Sequence, residues 1–471
     1  MRLKQLFKDI PVVWKGSKEI EIQALTLNSQ EASPGCLFVV KKSHKYIPDA
    51  VAAGAVAILT DTFDPFVKVT QIIHHDIAAL EPILAERFYP IKNLEMIGVT
   101  GTSGKTTTTY LLKYLLQQKY RSGLVGTVEW ITGKRVLPAS YTTPDLFTLR
   151  HLLHEMEHEG CNISVMEVSS HGIDQGRVKG IPFEIGIYTN LSQDHLDYHK
   201  TMEEYAQVKA KLFHDVKVAI INHDDEWSKI MTATKANIIR YGLSSNCDLF
   251  ATEIELSSQG IRFRVHWRGE SCLFETALIG RFNIYNILAA TAAALMKGLS
   301  LEQIAEALLH FPGVPGRLER VINASNLQVF VDYSHKPDAL KNVLQTLSEF
   351  KQGKIITVFG CGGNRDMQKR PLMASIAEAF SDHTIVTNDN PRQEDPEEIV
   401  RQIISGFKDR RYSVELDRKK AIEQAINQAT PSDIVLIAGK GHEPYQIFAH
   451  QTIRFDDREV AREVILEACR P

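Results

Sequence analysis

Leu94-Glu-Met-Ile-Gly-Val-Thr-Gly101-Thr-Ser-Gly104-Lys105-Thr106-Thr107 is the stretch that decides the fold class. Leu94–Thr100 is an apolar run of strand length, and a helical pattern starts at Lys105. Between them lies a glycine-rich turn. In that setting backbone N–H groups turn onto phosphate oxygens, and the helix N-terminus adds positive potential. Lys105 would reach the β- and γ-phosphates of a nucleotide, and the Thr106 hydroxyl would help hold Mg²⁺. The spacing departs from a strict G-x-x-x-x-G-K-T, because Val99 stands where the first glycine would be. An ordinary glycine-rich turn is the alternative, but it leaves Lys-Thr at the helix start unexplained.

Outward from this stretch the chain separates into three regions. Residues 89–314 continue with strand-like runs at 162–168, 184–189 and 216–221 and helical periodicity between them. Alternating strands and helices predict a mostly parallel sheet covered on both faces. Residues 248–279 break the pattern with alternating strands, an antiparallel insert, and helices are expected at 284–297 and 301–310. Residues 1–88 read as short elements, with strands at 36–40 and 55–60 and a helix at 77–88. Phe311-Pro-Gly-Val-Pro-Gly316 cannot continue a helix and reads as a linker. From 315 to 471, strands at 327–333, 354–360, 383–387 and 433–438 alternate with helices at 337–349, 371–380, 396–407 and 418–429. That is a second doubly wound α/β unit.

The length of 471 residues fits several domains of ordinary size. Apolar residues make up 44% and charged residues 24%, which excludes a disordered or coiled-coil chain. Lys plus Arg is 54 against 57 Asp plus Glu, so the net charge of −3 gives no drive toward nucleic acid or an anionic membrane. The six cysteines are scattered with no C-x-x-C, which speaks against a zinc site or disulfide framework. No run approaches the ~18 apolar residues of a membrane span. A cytoplasmic location is expected, with small-molecule partners and neither nucleic acid nor membrane.

A bound nucleotide needs a metal. Glu167 ends the run Val165-Met-Glu-Val-Ser-Ser-His171, and an acidic residue at the carboxyl end of a parallel strand points into the ligand crevice. Asp194-His195-Leu-Asp197 follows the strand ending at Asn190, at the equivalent edge. Glu167 and His195 could together ligate one Mg²⁺; the alternative is that both cap local structure. Histidine is an unusual ligand for this ion.

At this point the residues resemble a known family. Gly-Thr-Ser-Gly-Lys-Thr-Thr (101–107), Tyr141-Thr-Thr-Pro-Asp145, Met166-Glu-Val-Ser-Ser-His-Gly172, Thr189-Asn-Leu-Ser-Gln-Asp-His-Leu-Asp197, Gly280-Arg-Phe-Asn283, Pro315-Gly-Arg317 and Val331-Asp-Tyr-Ser-His335 occur in one order. They resemble the Mur ligases, the ATP-dependent amide-forming enzymes of peptidoglycan precursor synthesis, over nearly the whole chain. Gly362-Gly-Asn-Arg365-Asp, Asp389-Asn-Pro-Arg392 and Gly439-Lys-Gly-His-Glu443 are similar to the members that add meso-diaminopimelate to UDP-N-acetylmuramoyl-L-alanyl-D-glutamate.

The resemblance implies an α/β fold of three domains. They are a uridine-nucleotide-binding domain (1–88), a central parallel-sheet phosphate-loop ATPase domain (89–314) and a C-terminal Rossmann-like amino-acid-binding domain (315–471). It implies ATP contacts from Gly101, Thr102, Ser103, Gly104, Lys105, Thr106 and Thr107, and from Asn283, Arg317 and Asp332. Leu27 and Ser29 match positions that hold the uridine. Thr142, Thr143, Ser169, Gln175 and Arg177 match positions on the muramoyl-peptide side. Thr106, Glu167 and His195 match the metal site, and Lys209 matches a lysine carbamylated by CO₂. Arg365, Asp389, Asn390, Pro391, Arg392, Gly439 and Glu443 match the diaminopimelate site. A monomer is expected. Leu27-Asn28-Ser29-Gln30 departs from the usual Asp-Ser-Arg, residues 41–47 lack the usual Asp-Gly before His44, and Ser103 replaces a common Asn.

These residue types suit the chemistry. A carboxylate becomes amide only after activation, here by transfer of the ATP γ-phosphate to give an acyl phosphate. Lys105, Mg²⁺ and the loop amides would offset the repulsion between two anions. Lys209 by itself reads as a solvated lysine on a helix at 202–214; the resemblance makes it a carbamate that orients a metal. Diaminopimelate carries one carboxylate more than lysine, and Arg392 offers a planar fork for it. The alternative for Arg392 is an ion pair with Glu394 or Asp395. Competing functions are an L-lysine-adding ligase, a folylpolyglutamate-type ligase, and a nucleotide switch that would not need Arg365, Arg392 and Glu443.

Overall fold

The computed structural model describes every residue except Lys42, Ala324 and 469–471, and the side chain of Ala468. The chain forms two compact units. One comprises Met1–Leu249 with Leu288–Leu299, the other Phe250–Ile287 with the chain from Ser300 onward.

The first unit holds two sheets. The smaller has the order Val13–Lys15, Thr70–Ile73, Ala57–Thr60, Cys36–Val39, Ala24–Thr26; only its first pair is antiparallel. The larger runs Asn237–Gly242, Val218–Asn222, Phe183–Tyr188, Glu95–Thr100, Ile163–Glu167, Ser122–Val125, Glu129–Ile131, Val136–Pro138. Its first six strands are parallel. Glu95–Thr100 is buried along nearly its whole length, as a strand covered on both faces must be. Register sets the site: Glu167 lies opposite Val99 and Tyr188 opposite Thr100, so three carboxyl ends meet where the glycine-rich loop begins. The helix Lys105–Leu116 follows, with Gly104 as its N-cap at φ +83°.

In the second unit, Gly260–Trp267 and Glu270–Thr276 pair antiparallel, as the alternation at 248–279 predicts. Helix Leu301–Leu309 packs on Glu270–Thr276. The C-terminal sheet has the order Glu319–Arg320, Gln328–Asp332, Ile434–Ala438, Ile355–Phe359, His383–Val386, Tyr412–Val414, parallel after its first pair. Phe330, Ile355, Phe359 and Leu436 face helices Pro337–Ser348, Lys369–Phe380 and Pro396–Ile404. Val329, Val331, Ile356, Val358 and Ile437 face helices Arg418–Gln428 and Asp457–Ala468. Ile434–Ala438 enters between Gln328–Asp332 and Ile355–Phe359, so the strand order reverses there, where α/β sheets open a ligand crevice.

Two predicted helices are shorter than their sequence patterns. Met202–Ala210 is α-helical, and Lys211–Phe213 tightens into a 3₁₀ turn that buries Leu212 and Phe213. Pro396–Ile404 stops before Gly406, where a Cβ would lie 2.0 Å from the Pro371 carbonyl oxygen. Among the described residues no helix is long and apolar enough to cross a membrane.

Candidate active site

The glycine-rich loop is held from behind by the segment after Phe183–Tyr188. The N–H groups of Thr102 and Ser103 donate to Asn190, to its carbonyl at 2.8 Å and its Oδ1 at 2.9 Å. Thr189 Oγ1 donates to Ser103 O at 2.7 Å. Gly101 sits at φ +153°, and a Cβ there would lie 1.9 Å from Thr189 Oγ1, so this turn admits only glycine. Lys105 Nζ donates to the carbonyls of Gly101 and Thr102, both at 2.9 Å.

Lys209 Nζ donates to that same Gly101 carbonyl at 2.9 Å and lies 4.6 Å from the Tyr205 ring centroid. It is 1% exposed, not solvated. Burial, with the Lys105 charge adding to it, pushes its pKa well below the usual lysine value, against the opposing pull of Asp194.

Glu167 is buried and accepts from Thr106 Oγ1 at 3.1 Å, Thr127 N at 2.8 Å and Thr127 Oγ1 at 3.1 Å. Thr127 Oγ1 is 3.0 Å from Thr142 Oγ1. Thr143 Oγ1 donates to the Glu167 carbonyl and accepts from Ser169 N, each at 3.0 Å. Arg177 Nη1 donates to Thr143 O at 2.7 Å, and its Nη2 to Gln175 Oε1 at 2.7 Å. One network thus gathers Thr142, Thr143, Ser169, Gln175 and Arg177 around Glu167. Thr106 and Glu167 offer hard oxygen donors side by side, the donor chemistry Mg²⁺ prefers, so these residues fit such an ion. His195 is placed differently. At φ +55° it turns its ring edge-on to His171, with centroids 4.8 Å apart, and its Nε2 lies 3.4 Å from Asp194 Oδ2. Leu27 follows the strand Ala24–Thr26, and Ser29 opens a 3₁₀ turn capped by Asn28.

In the second unit, Asp332 Oδ2 accepts from Leu318 N at 2.7 Å. Burial raises the Asp332 pKa against the pull of Arg317, whose guanidinium covers Tyr333 at 4.9 Å. Burial also pushes His335 down to about 4 and, with Arg317 beside it, His442 to about 3, so the rings flanking Tyr333 are neutral near pH 7. Asn283 is buried, its amide donating to Ile279 O at 2.8 Å and accepting from Asn286 at 2.9 Å.

Asn390 is the hub of the crevice. Its carbonyl accepts from Gly363 N at 2.9 Å, its Nδ2 donates to Glu443 Oε2 at 3.0 Å, and its Oδ1 accepts from Lys440 Nζ at 3.1 Å and Ile447 N at 3.0 Å. Gly439 leaves room for Asp389, whose Oδ2 would lie 2.9 Å from a Cβ there. Gly363 is required by the Pro391 carbonyl, 1.8 Å from where its Cβ would be. Arg392, at φ +55°, donates from Nη1 to Gly363 O at 2.9 Å. Its Nη1 and the Arg365 side chain both flank Gly362. Glu394 pairs with Arg370 at 2.9 Å, and Asp395 caps Pro396–Ile404 through Glu397 N, so both acids offered to Arg392 as ion-pair partners have other work.

Comparisons with known proteins place the chain in a family. A family model described as Mur ligase middle domain matches residues 99–294, and one described as Mur ligase, glutamate ligase domain matches 316–441. A UDP-N-acetylmuramoyl-L-alanyl-D-glutamate–2,6-diaminopimelate ligase of Geobacillus thermodenitrificans is 43% identical over 99% of this chain and 100% of its own. The chain belongs to the Mur ligase family. A solved structure of a ligase with the same name superposes on this Mur ligase with a TM-score of 0.70 and 32% identity, covering all of both chains. The MurF ligase of Thermotoga maritima in complex with ADP shares the fold, with a TM-score of 0.65 and 19% identity over 96% of this chain and 98% of that one.

Sequence reading missed several residues that bond into these networks. Thr127 bridges Thr142 to Glu167, Tyr205 reaches Thr102 Oγ1 at 3.2 Å, and Lys440 is wholly buried between Asn390 and Glu443. Thr127 carried one usable signal: Gly126-Thr127 directly follows the strand Ser122–Val125, at the edge that bears Glu167.

Proposed function

We propose that this Mur ligase joins meso-2,6-diaminopimelate to UDP-N-acetylmuramoyl-L-alanyl-D-glutamate, driven by ATP. The observation that carries this is full-length identity of 41–43% with ligases of that name, the Geobacillus protein among them, in a chain whose own crevice holds the Arg392 guanidinium on the Gly363 carbonyl.

The substrate carboxylate attacks the γ-phosphorus of ATP, ADP leaves, and an acyl phosphate forms. The amine then attacks the acyl carbon, phosphate leaves, and the amine nitrogen loses a proton. Lys105 exchanges its two loop carbonyls for phosphate oxygens and neutralises charge as phosphate transfers. Thr106 and Glu167 would hold Mg²⁺, which when bound supplies charge neutralisation, and His195, set against His171 and Asp194, would have to turn from them to join as a ligand. Lys209 is the proposed carbamylation site. Its neutral amine adds to CO₂ and gives up a proton, forming an anionic carbamate; the low pKa and the buried position support this.

Thr142, Thr143, Ser169, Gln175 and Arg177 orient the muramoyl peptide, and Leu27 and Ser29 hold the uridine. Asn283, Arg317 and Asp332 serve ATP. Arg365, Asp389, Asn390, Pro391, Arg392, Gly439 and Glu443 receive diaminopimelate, with Arg392 on its distal carboxylate. Three domains, 1–88, 89–314 and 315–471, divide these tasks in a cytoplasmic monomer. Phosphate release with the UDP-muramoyl dipeptide tests the activity. Release with meso-diaminopimelate is expected, and release with L-lysine alone would replace it by the lysine-adding reaction.

A further inference from the structure

Arg370 opens the helix Lys369–Phe380 and is wholly buried. A buried guanidinium is costly unless its donors are used, and here both terminal nitrogens are used while Nε has no partner. Nη1 donates to Gln402 Oε1 at 2.7 Å, and Nη2 to Gly362 O at 3.2 Å and Glu394 Oε2 at 2.9 Å. Glu394 in turn accepts the N–H of Asn364. Gly362 and Asn364 lie in the loop after Ile355–Phe359, which presents Arg365. Glu394 lies in the loop after His383–Val386, which presents Arg392. One guanidinium therefore ties together the two loops that carry the two arginines of the crevice.

We propose that Arg370, acting through Glu394, is a positioning residue that fixes Arg365 and Arg392 relative to each other and thereby sets the preference for an amine with a second carboxylate. The inference rests on the proposed amine site. Two guanidiniums discriminate a diacid from a mono-acid only when their separation matches the substrate, and both sit on loops. Misplacement by about 1 Å, even remote from the chemistry, costs up to ~10²-fold in rate. Glu394 is 24% exposed at its side chain while Arg370 is wholly buried, so losing the pair affects stability as well as loop geometry, and Tm read beside KM separates the two.

The test compares Glu394→Gln, Arg370→Lys and Arg392→Ala in the full-length enzyme. The measurements are KM and kcat with meso-diaminopimelate and with L-lysine, KM for ATP, and Tm. Glu394→Gln should raise KM for meso-diaminopimelate about tenfold or more and lower its kcat/KM ratio over L-lysine, with KM for ATP within about twofold. Arg370→Lys should move the same way, because one ammonium cannot reach three acceptors in a fork geometry. If Arg370→Lys does not fold, Glu394→Gln decides alone. The proposal is overturned if Glu394→Gln keeps the parent KM and amine ratio, or lowers only Tm, while Arg392→Ala raises KM. If Arg392→Ala also leaves KM unchanged, the amine site itself is misplaced.

Discussion

Lys105 and Lys209 donate to one acceptor, the Gly101 carbonyl oxygen, each from 2.9 Å. Two cations on one oxygen repel, and burial together with Lys105 lowers the Lys209 pKa. The arrangement thus separates two roles. Lys105 faces the loop where phosphate would bind, and Lys209, buried behind it, is biased toward the neutral amine that adds CO₂.

Lys209 should act on stability through pH. The unfolded chain protonates it below about pH 10.4, while the folded chain resists protonation, so the unfolded state binds more protons in that window. The stability cost of this lysine is therefore largest at low pH and vanishes above about 10.4. In CO₂-free buffer, Lys209→Met should be more stable than the parent at neutral pH, and the gain should shrink as pH rises. Urea midpoints at several pH values check this; a constant difference would show that Lys209 is an ordinary charged lysine. Lys209→Ala should lose turnover, with partial recovery in formate or acetate.

Lys105→Ala should cut ATP-dependent phosphate release by ~10²-fold or more, since one donor to developing charge has that worth. Tm should move little, because Lys105 is only partly buried and the Gly101 carbonyl keeps its bond from Lys209. A rate within about tenfold of the parent would contradict the phosphate-loop role.

Much of the frame was legible. The helix Ile77–Phe88 has the bounds its apolar spacing predicts, and the alternation after Pro315 follows from strands buried on both faces. The strands Val13–Lys15, Ala24–Thr26 and Thr70–Ile73 are too short to show a period. Lys209 reads as solvated among Glu203, Glu204 and Gln207, because the carbonyl that holds it belongs to Gly101, remote in sequence, and only Tyr205, one turn back, lies on its own helix. Arg392 looks paired with Glu394 in sequence, but Arg370, on the helix Lys369–Phe380, takes that acid. Contacts across loops carry no local pattern.

Gly101→Ala should abolish nucleotide binding. The substitution forces a Cβ onto Thr189 Oγ1 at a backbone angle side chains avoid, so either the loop or the segment Thr189–Asn190 must move. Isothermal titration with ATP and Mg²⁺ reads the loss; parent-like affinity would contradict the loop geometry.

Asp457→Ala should destabilise strongly. Asp457 takes both forks of the fully buried Arg418, which also donates to the carbonyls of Asn388 and Ala438. Stranding that cation costs ~3–5 kcal/mol. The urea midpoint measures it, and a shift under about 1 kcal/mol would show that water reaches the site.

The choice of amine tests the central claim most directly. The measurement is kcat/KM for meso-diaminopimelate and for L-lysine, by phosphate release with the UDP-muramoyl dipeptide, in the parent and in Arg392→Ala. A site that pairs a substrate polar group rejects the analogue lacking it by ~10⁴-fold or more, so the parent should prefer meso-diaminopimelate by that order. Arg392→Ala should narrow the ratio by losing the diacid and not the lysine, and Arg392→Lys should fail to restore it because an ammonium cannot form the bidentate pair. A parent enzyme that used L-lysine as well as meso-diaminopimelate would contradict the account.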